Sequence, residues 1–404
     1  MARDVVITGL GVVSPAGQGI PQFEAALRLG RSGIRPNQWH DTRGARSRLV
    51  GQVEPFNPVA GPDGDPRHLS RADQFALAAA VEAWRHAGLD QHGAADPART
   101  GVVLGSGGGV ANTEAYVASK MREAPLRPSR LLAMNPDNAG AAIARAFRLN
   151  GPRTSIMTAC SSGATAVGLG ADFIQCGLAD TVLAGGTESL SHVTFTGFNA
   201  LGALATGSNR PFDGERDGIV LGEGAAVLVL ETRERAEQRG AAILARVLGY
   251  GITSDANHIT APHPEGDGMA RAMELALARA GIDRAAVGYV NAHGTGTTLN
   301  DSSETAAVKR VFGLASARLP LSSIKPMIGH TLSAAGAIEA VATVLALHGQ
   351  FLPPTLNYQT PDPQCDLDYV PNVARQARYS VAMKNSLAFG GNNTSLVFGR
   401  HENA

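Results

Sequence analysis

Cys160 stands in Ile156-Met-Thr-Ala-Cys-Ser-Ser-Gly-Ala-Thr-Ala-Val-Gly168, a thiol followed at once by a run of small residues. Small side chains at that density predict a closely packed core helix with the thiol at its N-terminus. There the free N–H groups and the positive end of the helix dipole lower a thiol's pKa from about 8.5 and favour the nucleophilic thiolate. The same N–H groups can hold an oxyanion. His293, in Val290-Asn-Ala-His-Gly-Thr-Gly-Thr297, and His330, in Ser323-Ile-Lys-Pro-Met-Ile-Gly-His-Thr331, lie in glycine-rich loops. Neutral imidazoles in such loops can donate hydrogen bonds to a developing enolate without taking a proton.

Three further residues can support that chemistry. Lys325 sits five residues before His330 and can orient groups or tune charge. Glu339 falls inside Ala334-Ala-Gly-Ala-Ile-Glu-Ala340, and a carboxylate on so apolar a helix needs a partner if buried; Lys325 is the candidate. Phe389, in Asn385-Ser-Leu-Ala-Phe-Gly-Gly-Asn-Asn393, offers a backbone N–H to complete an oxyanion hole and a ring to gate a cleft. Two other chemistries are excluded. Gly105-Ser-Gly-Gly-Gly109 has the look of a dinucleotide fingerprint, but Val110 takes the third glycine's place and no acidic residue follows at the right distance. The 11 histidines and three cysteines show no metal-ligand spacing, so no metal is expected.

The elements that must position these groups come in two sets. Runs 73–88 and 268–281 read as amphipathic helices stopped by glycine. Gly101–Gly107 matches Gly288–Gly294 as a short buried strand, Met157–Cys160 matches Met327–His330 ahead of a small-residue helix, and Gly222–Leu230 matches Gly391–Gly399. Four matches in one order predict two similar α/β halves, 1–250 and 251–404, related by a pseudo-twofold that makes Cys160 and His330 equivalent. Strand runs of Val, Leu and Ala without alternation predict sheets covered on both faces.

The chain of 404 residues carries 35 basic and 35 acidic side chains, a balance that argues against nucleic acid as a partner. Three sparse cysteines point to a reducing compartment, and the cytoplasm is expected. The N-terminus lacks an apolar signal segment, and no window approaching 18 apolar residues is read, so no membrane span is expected.

Taken together, Thr158–Ser162, Ala184-Gly-Gly-Thr-Glu188, Arg210-Pro-Phe-Asp213, Arg216-Asp-Gly218, Asn291–Thr295, Lys325–His330 and Phe389–Gly391 resemble the beta-ketoacyl-acyl-carrier-protein synthases, synthase II type, nearly end to end. The resemblance implies the thiolase-like five-layered αβαβα fold from two duplicated halves. It implies Cys160 as acyl nucleophile, His293 and His330 as the decarboxylation pair, Lys325 and Glu339 as their support, and the amides of Cys160 and Phe389 as the oxyanion hole. Thr295 and Thr297 would bind the phosphopantetheine arm of acyl carrier protein, with Gly108, Phe198 and Gly390 also at the substrate site. Asp301 and Glu304 would serve structure, and Arg67, Arg71 and Arg210 would dock the carrier. The implied reaction is decarboxylative condensation of a Cys160-bound acyl group with malonyl-acyl carrier protein in fatty acid or polyketide and polyene synthesis. No bound cofactor is implied beyond the carrier's arm, and the assembly would be a homodimer or a heterodimer with a chain-length-factor-like subunit.

Three departures bear on substrate. Asp137 and Asn138 are polar in segment 134–146, where the family is apolar; Gly108 replaces a bulkier residue; and Asn392-Asn393 stands for the usual Thr-Asn. They predict tolerance of long or polyunsaturated chains and a place in specialised metabolism. Two alternatives are weaker. A non-decarboxylating thiolase needs a second catalytic cysteine, and Asp362-Pro-Gln-Cys-Asp366 does not look like that motif. A non-catalytic partner subunit usually lacks the cysteine that this chain keeps.

Overall fold

The computed structural model describes residues 3–59, 69–91, 95–107, 110–122 and 134–401. Ten strands form the path of its main sheet, with Gly17–Gln18 paired beside the first as an eleventh: β1 Val5–Ser14, β2 Thr100–Ser106, β3 Arg153–Ile156, β4 Thr181–Glu188, β5 Gly224–Thr232, β6 Ala245–Ser254, β7 Val287–Asn291, β8 Leu321–Ser322, β9 Val381–Ala388 and β10 Asn392–Gly399. In space they run β3-β2-β4-β5-β1-β6-β10-β9-β7-β8. Read outward from the centre, the order 1-5-4-2-3 on one side becomes 6-10-9-7-8 on the other, the same path through the second set. The pairing sense repeats too. β2 lies parallel to β3 and β4, and β7 parallel to β8 and β9, while every pair closer to the centre is antiparallel. The two sets join where Val5–Ile7 of β1 pair with Ala245–Val247 of β6.

β1, β2 and β5 are buried at every position, the consequence of cover on both faces. Helix α1, Arg71–His86, covers the outside of β1 and β5, and α3, Asp267–Ala280, covers β6 and β10. Ser70 caps α1 in a capping box with Asp73, and both helices end in left-handed glycines, Gly88 and Gly281. Between the two strand sets lie α2, Ser162–Gln175, and α4, Ala335–Gly349, which touch each other and strands of both sets. Helix, strands, helix pair, strands, helix: these are the five expected layers.

The central pair is close enough to exclude side chains at the crossing. A Cβ on Gly163 would lie 2.7 Å from Ala337 N, and one on Gly336 would lie 2.5 Å from Ala164 N. Around that crossing, Val167, Ala171, Ile338, Val341, Leu228 and Leu396 form part of the largest apolar core. Each fully buried aliphatic side chain of this size contributes roughly 1.5–3 kcal/mol. Residues Leu332–Gly349 have the length and the apolar composition, with mean hydropathy 1.5, to cross a membrane, contrary to the sequence expectation. That stretch is 83% buried inside the protein, and its apolar character is that of a helix packed on every side.

Candidate active site

Each central helix is entered through the same tight turn. A three-ten turn at Ala159–Ser161 leads into α2, and one at Leu332–Ala334 leads into α4. Both begin on a non-glycine residue in the left-handed region, Ala159 at φ 49° and Leu332 at φ 47°. This registration, together with the reciprocal Gly163–Ala337 and Gly336–Ala164 contacts, makes Ser333 the counterpart of Cys160 and Met157 the counterpart of His330. The sequence match of Met157–Cys160 with Met327–His330 is therefore out of step by three residues. Cys160 and His330 are not equivalent, although both line one cleft.

That cleft, of about 320 Å³, is lined by Cys160, His293, His330, Phe198, Thr295 and Thr297 among others. Cys160 is 6% exposed, and the backbone N–H groups of Phe389 and of Cys160 itself face its sulfur. These N–H groups and the nearby Lys325 charge favour the thiolate, but burial outweighs them and pushes the thiol up to about 11. Desolvation thus opposes the lowering expected at a helix N-terminus.

The imidazoles of His293 and His330 meet edge to face, with ring centroids 5.3 Å apart. The Leu332 N–H donates to His330 Nδ1 at 3.3 Å, so in the neutral ring the proton rests on Nε2. Lys325 Nζ lies 3.3 Å from His293 Nδ1 and donates to the His293 carbonyl at 2.5 Å, which gives His293 the same tautomer. Burial, with the Lys325 and Lys384 charges beside them, holds both imidazoles well below their ordinary pKa. They are neutral hydrogen-bond donors at physiological pH.

Behind the rings lies a buried charge cluster. Lys325 and Glu339, both fully buried, form an ion pair, as the sequence suggested. Lys384, on β9, reaches the other oxygen of Glu339 at 2.8 Å. Glu304 accepts the N–H groups of His293 and Gly294, each at 2.8 Å, and burial raises it to about 7. Asp301 likewise accepts the N–H groups of Thr295 and Phe212. The two carboxylates hold the backbone of the His293–Thr295 loop, so their contacts are structural. Lys384 escaped the sequence reading, though a lysine inside the apolar strand 381–388 is itself a sign of a buried partner.

Thr295 and Thr297 share a hydroxyl contact of 2.9 Å on the cleft wall. The Phe198 and Phe389 rings stand 5.6 Å apart at its mouth. Gly390 is not in the lining; at φ 88° it makes the turn between β9 and β10. Asn393 donates to Asp255 at 2.7 Å, tying that turn to the loop after β6. Arg71, its side chain 39% exposed, pairs with buried Glu223 at 2.6 Å, and Arg210 pairs with exposed Glu215 at 2.8 Å, so each guanidinium already has a carboxylate partner. Gly108 and Arg67 lie outside the described residues. Among the described residues no cluster of three or more metal-ligating side chains occurs.

Residues 2–236 match the beta-ketoacyl synthase N-terminal domain and residues 244–359 its C-terminal domain. The chain belongs to the beta-ketoacyl synthase family. It is 43% identical to a Streptomyces cyaneus protein named as a polyketide beta-ketoacyl synthase, over 98% of both chains. It is 42% identical to the 3-oxoacyl-[acyl-carrier-protein] synthase 2 of Staphylococcus aureus strain COL, over 99% of both. The solved ishigamide ketosynthase/chain length factor superposes with a TM-score of 0.93 at 38% identity, covering all of both chains.

Proposed function

We propose that this chain catalyses decarboxylative condensation of an acyl group carried on Cys160 with malonyl-acyl carrier protein, giving 3-ketoacyl-acyl carrier protein. The observation that carries this reading is one cleft holding a thiol, two N–H groups aimed at its sulfur, and two neutral imidazoles. In the first half-reaction the Cys160 sulfur attacks the carrier-bound thioester as the thiolate. The proton it gives up ends on the departing phosphopantetheine thiolate, so the exchange has no net change in protonation. The Cys160 and Phe389 amides hold the oxyanion.

In the second half-reaction malonyl-carrier enters along Thr295 and Thr297. Its C–C bond breaks, CO₂ leaves, and the electron pair becomes an enolate whose oxygen accepts hydrogen bonds from His293 and His330 Nε2–H. A neutral donor suits this task, because an imidazolium would protonate the carbanion it should stabilise. The enolate carbon attacks the Cys160 thioester, and collapse returns the sulfur, which takes up a proton. Lys325, Lys384 and Glu339 keep the imidazoles neutral and oriented. No step changes oxidation state, so the reading requires no bound cofactor beyond the carrier's arm.

The same reading divides the chain into two halves, 1–250 and 251–404; the repeated strand order supports two halves but begins the second with β6, at Ala245. It places the enzyme in the cytoplasm as a homodimer or as the catalytic member of a ketosynthase/chain-length-factor heterodimer, and gives it long or polyunsaturated acyl chains. The heterodimer is favoured by the ishigamide relative, and retention of Cys160 makes this chain its catalytic member. The test is incubation with acyl-carrier protein and then isotopically labelled malonyl-carrier protein. Mass spectrometry should show acyl mass on Cys160, followed by labelled CO₂ and a 3-ketoacyl product. A chain that is never acylated is a non-catalytic partner; one that is acylated but releases no CO₂ is thiolase-like.

A further inference from the structure

Glu188 ends β4 and has no part in the steps above. Its carboxylate accepts the Ser333 hydroxyl at 2.9 Å, and the backbone N–H groups of Ser189 and Ser333 face it as well. Those two N–H groups have counterparts across the pseudo-twofold. Ser333 occupies the place of Cys160. β4 and β9 occupy corresponding places in the two strand sets, and Glu188 ends one as Ala388 ends the other, so Ser189 occupies the place of Phe389. The N–H groups that grip Glu188 are thus the second copy of the pair that faces the thiol. In one copy the pair is open to the cleft; in the other a carboxylate fills it.

Two observations show that the fold accommodates this plug closely. A Cβ on Gly107 would lie 2.2 Å from Glu188 Oε2, so a side chain there would displace the carboxylate from this position. The turn that Glu188 grips is also strained, because Leu332 holds φ 47°, a region that persists in non-glycine residues only where the surroundings impose it. That turn carries His330. At its start His330 N donates to the Val220 carbonyl at 2.6 Å, and Gly222 N donates to the His330 carbonyl at 3.0 Å. In its middle Leu332 N donates to His330 Nδ1 and fixes the ring. At its end the anchor is Ser333 on Glu188. Activation of the nucleophile does not explain Glu188, since burial pushes it up to about 7 and its ionised form disfavours the Cys160 thiolate.

We propose that Glu188 is a positioning residue for His330: by plugging the second copy of the oxyanion hole it clamps the strained 330–334 turn and aims Nε2–H at the enolate oxygen. The inference rests on the condensing reading above and deepens it.

The experiment separates the partial reactions in the full chain. Glu188→Ala should lower CO₂ release from malonyl-carrier protein by about tenfold to a hundredfold, the scale of a catalytic group misplaced by an ångström. Acyl transfer to Cys160 should stay near the wild-type rate. Glu188→Gln keeps a carbonyl acceptor for the two N–H groups and should restore most of the CO₂ release. Ser333→Ala, which removes only the hydroxyl link, should show a smaller loss confined to the same step, and it decides the matter if Glu188→Ala does not fold. Equal loss in both partial reactions, no loss in either, or no rescue by glutamine would overturn the inference. Wild-type protein that releases no CO₂ would instead remove the proposed function itself.

Discussion

The turn that presents Cys160 and the turn that follows His330 are two copies of one device. Each starts from a left-handed non-glycine residue, makes a three-ten turn and opens a helix whose second residue, Gly163 or Gly336, lies against the other helix's backbone. Yet one presents a thiol to open N–H groups, while the other places serine there, fills its N–H groups with Glu188, and uses the residue three earlier as an imidazole. What differs is side chains, not backbone. On the proposed function a duplicated frame divides the reaction, one copy holding the covalent intermediate and the other the group that receives negative charge from decarboxylation.

The largest effect should come from deleting the reactive group of either copy. Cys160→Ala should abolish acylation and lower condensation by about 10³-fold or more, read by mass spectrometry and product formation. His330→Ala should leave acylation in place and lower CO₂ release roughly 10²–10³-fold, the usual cost of a lost donor to a developing oxyanion. If both variants failed in the same half-reaction, the division of labour would be wrong. A middling effect belongs to the crossing that binds the copies together. Gly163→Val puts a Cβ 2.7 Å from Ala337 N and should cost about 1–3 kcal/mol or more, measured by denaturant unfolding. The smallest concerns pH. Because the folded pKa of each catalytic histidine lies well below 6.5, the unfolded chain takes up these protons first as pH falls. Their contribution to stability is present above about pH 6.5 and is lost progressively below it. Replacing His330 by Gln should flatten the fall in unfolding free energy between pH 7.5 and 5.5; an unchanged slope would mean the ring titrates normally.

The duplicated strand order was legible because buried strands and small-residue helices leave long, uninterrupted signatures, as at 156–168 and 334–347. The Lys325–Glu339 pair was legible because a lone carboxylate in an apolar helix demands a cation. The register between copies was not: small-residue runs match each other at several offsets, and only the backbone at Ala159 and Leu332 fixes which is right. The thiol's ionisation ran opposite to expectation, since a helix N-terminus is visible in sequence and the depth of burial is not. Glu188 stood within the motif Ala184–Glu188, but nothing in one dimension shows that its partners are the mirror of the nucleophile's own amides.

The reciprocal contact of Gly163 with Ala337 and Gly336 with Ala164 has an evolutionary reading. A side chain gained by either copy at the crossing would strike the main chain of the other, which has no rotamer with which to yield. The two copies are thus free to diverge at their tips, where thiol, imidazole and carboxylate now differ, but not at the point where they cross. A descendant that shed one copy would lose both the wall of its cleft and the lining of its core, so the ancestral doubling runs in one direction only.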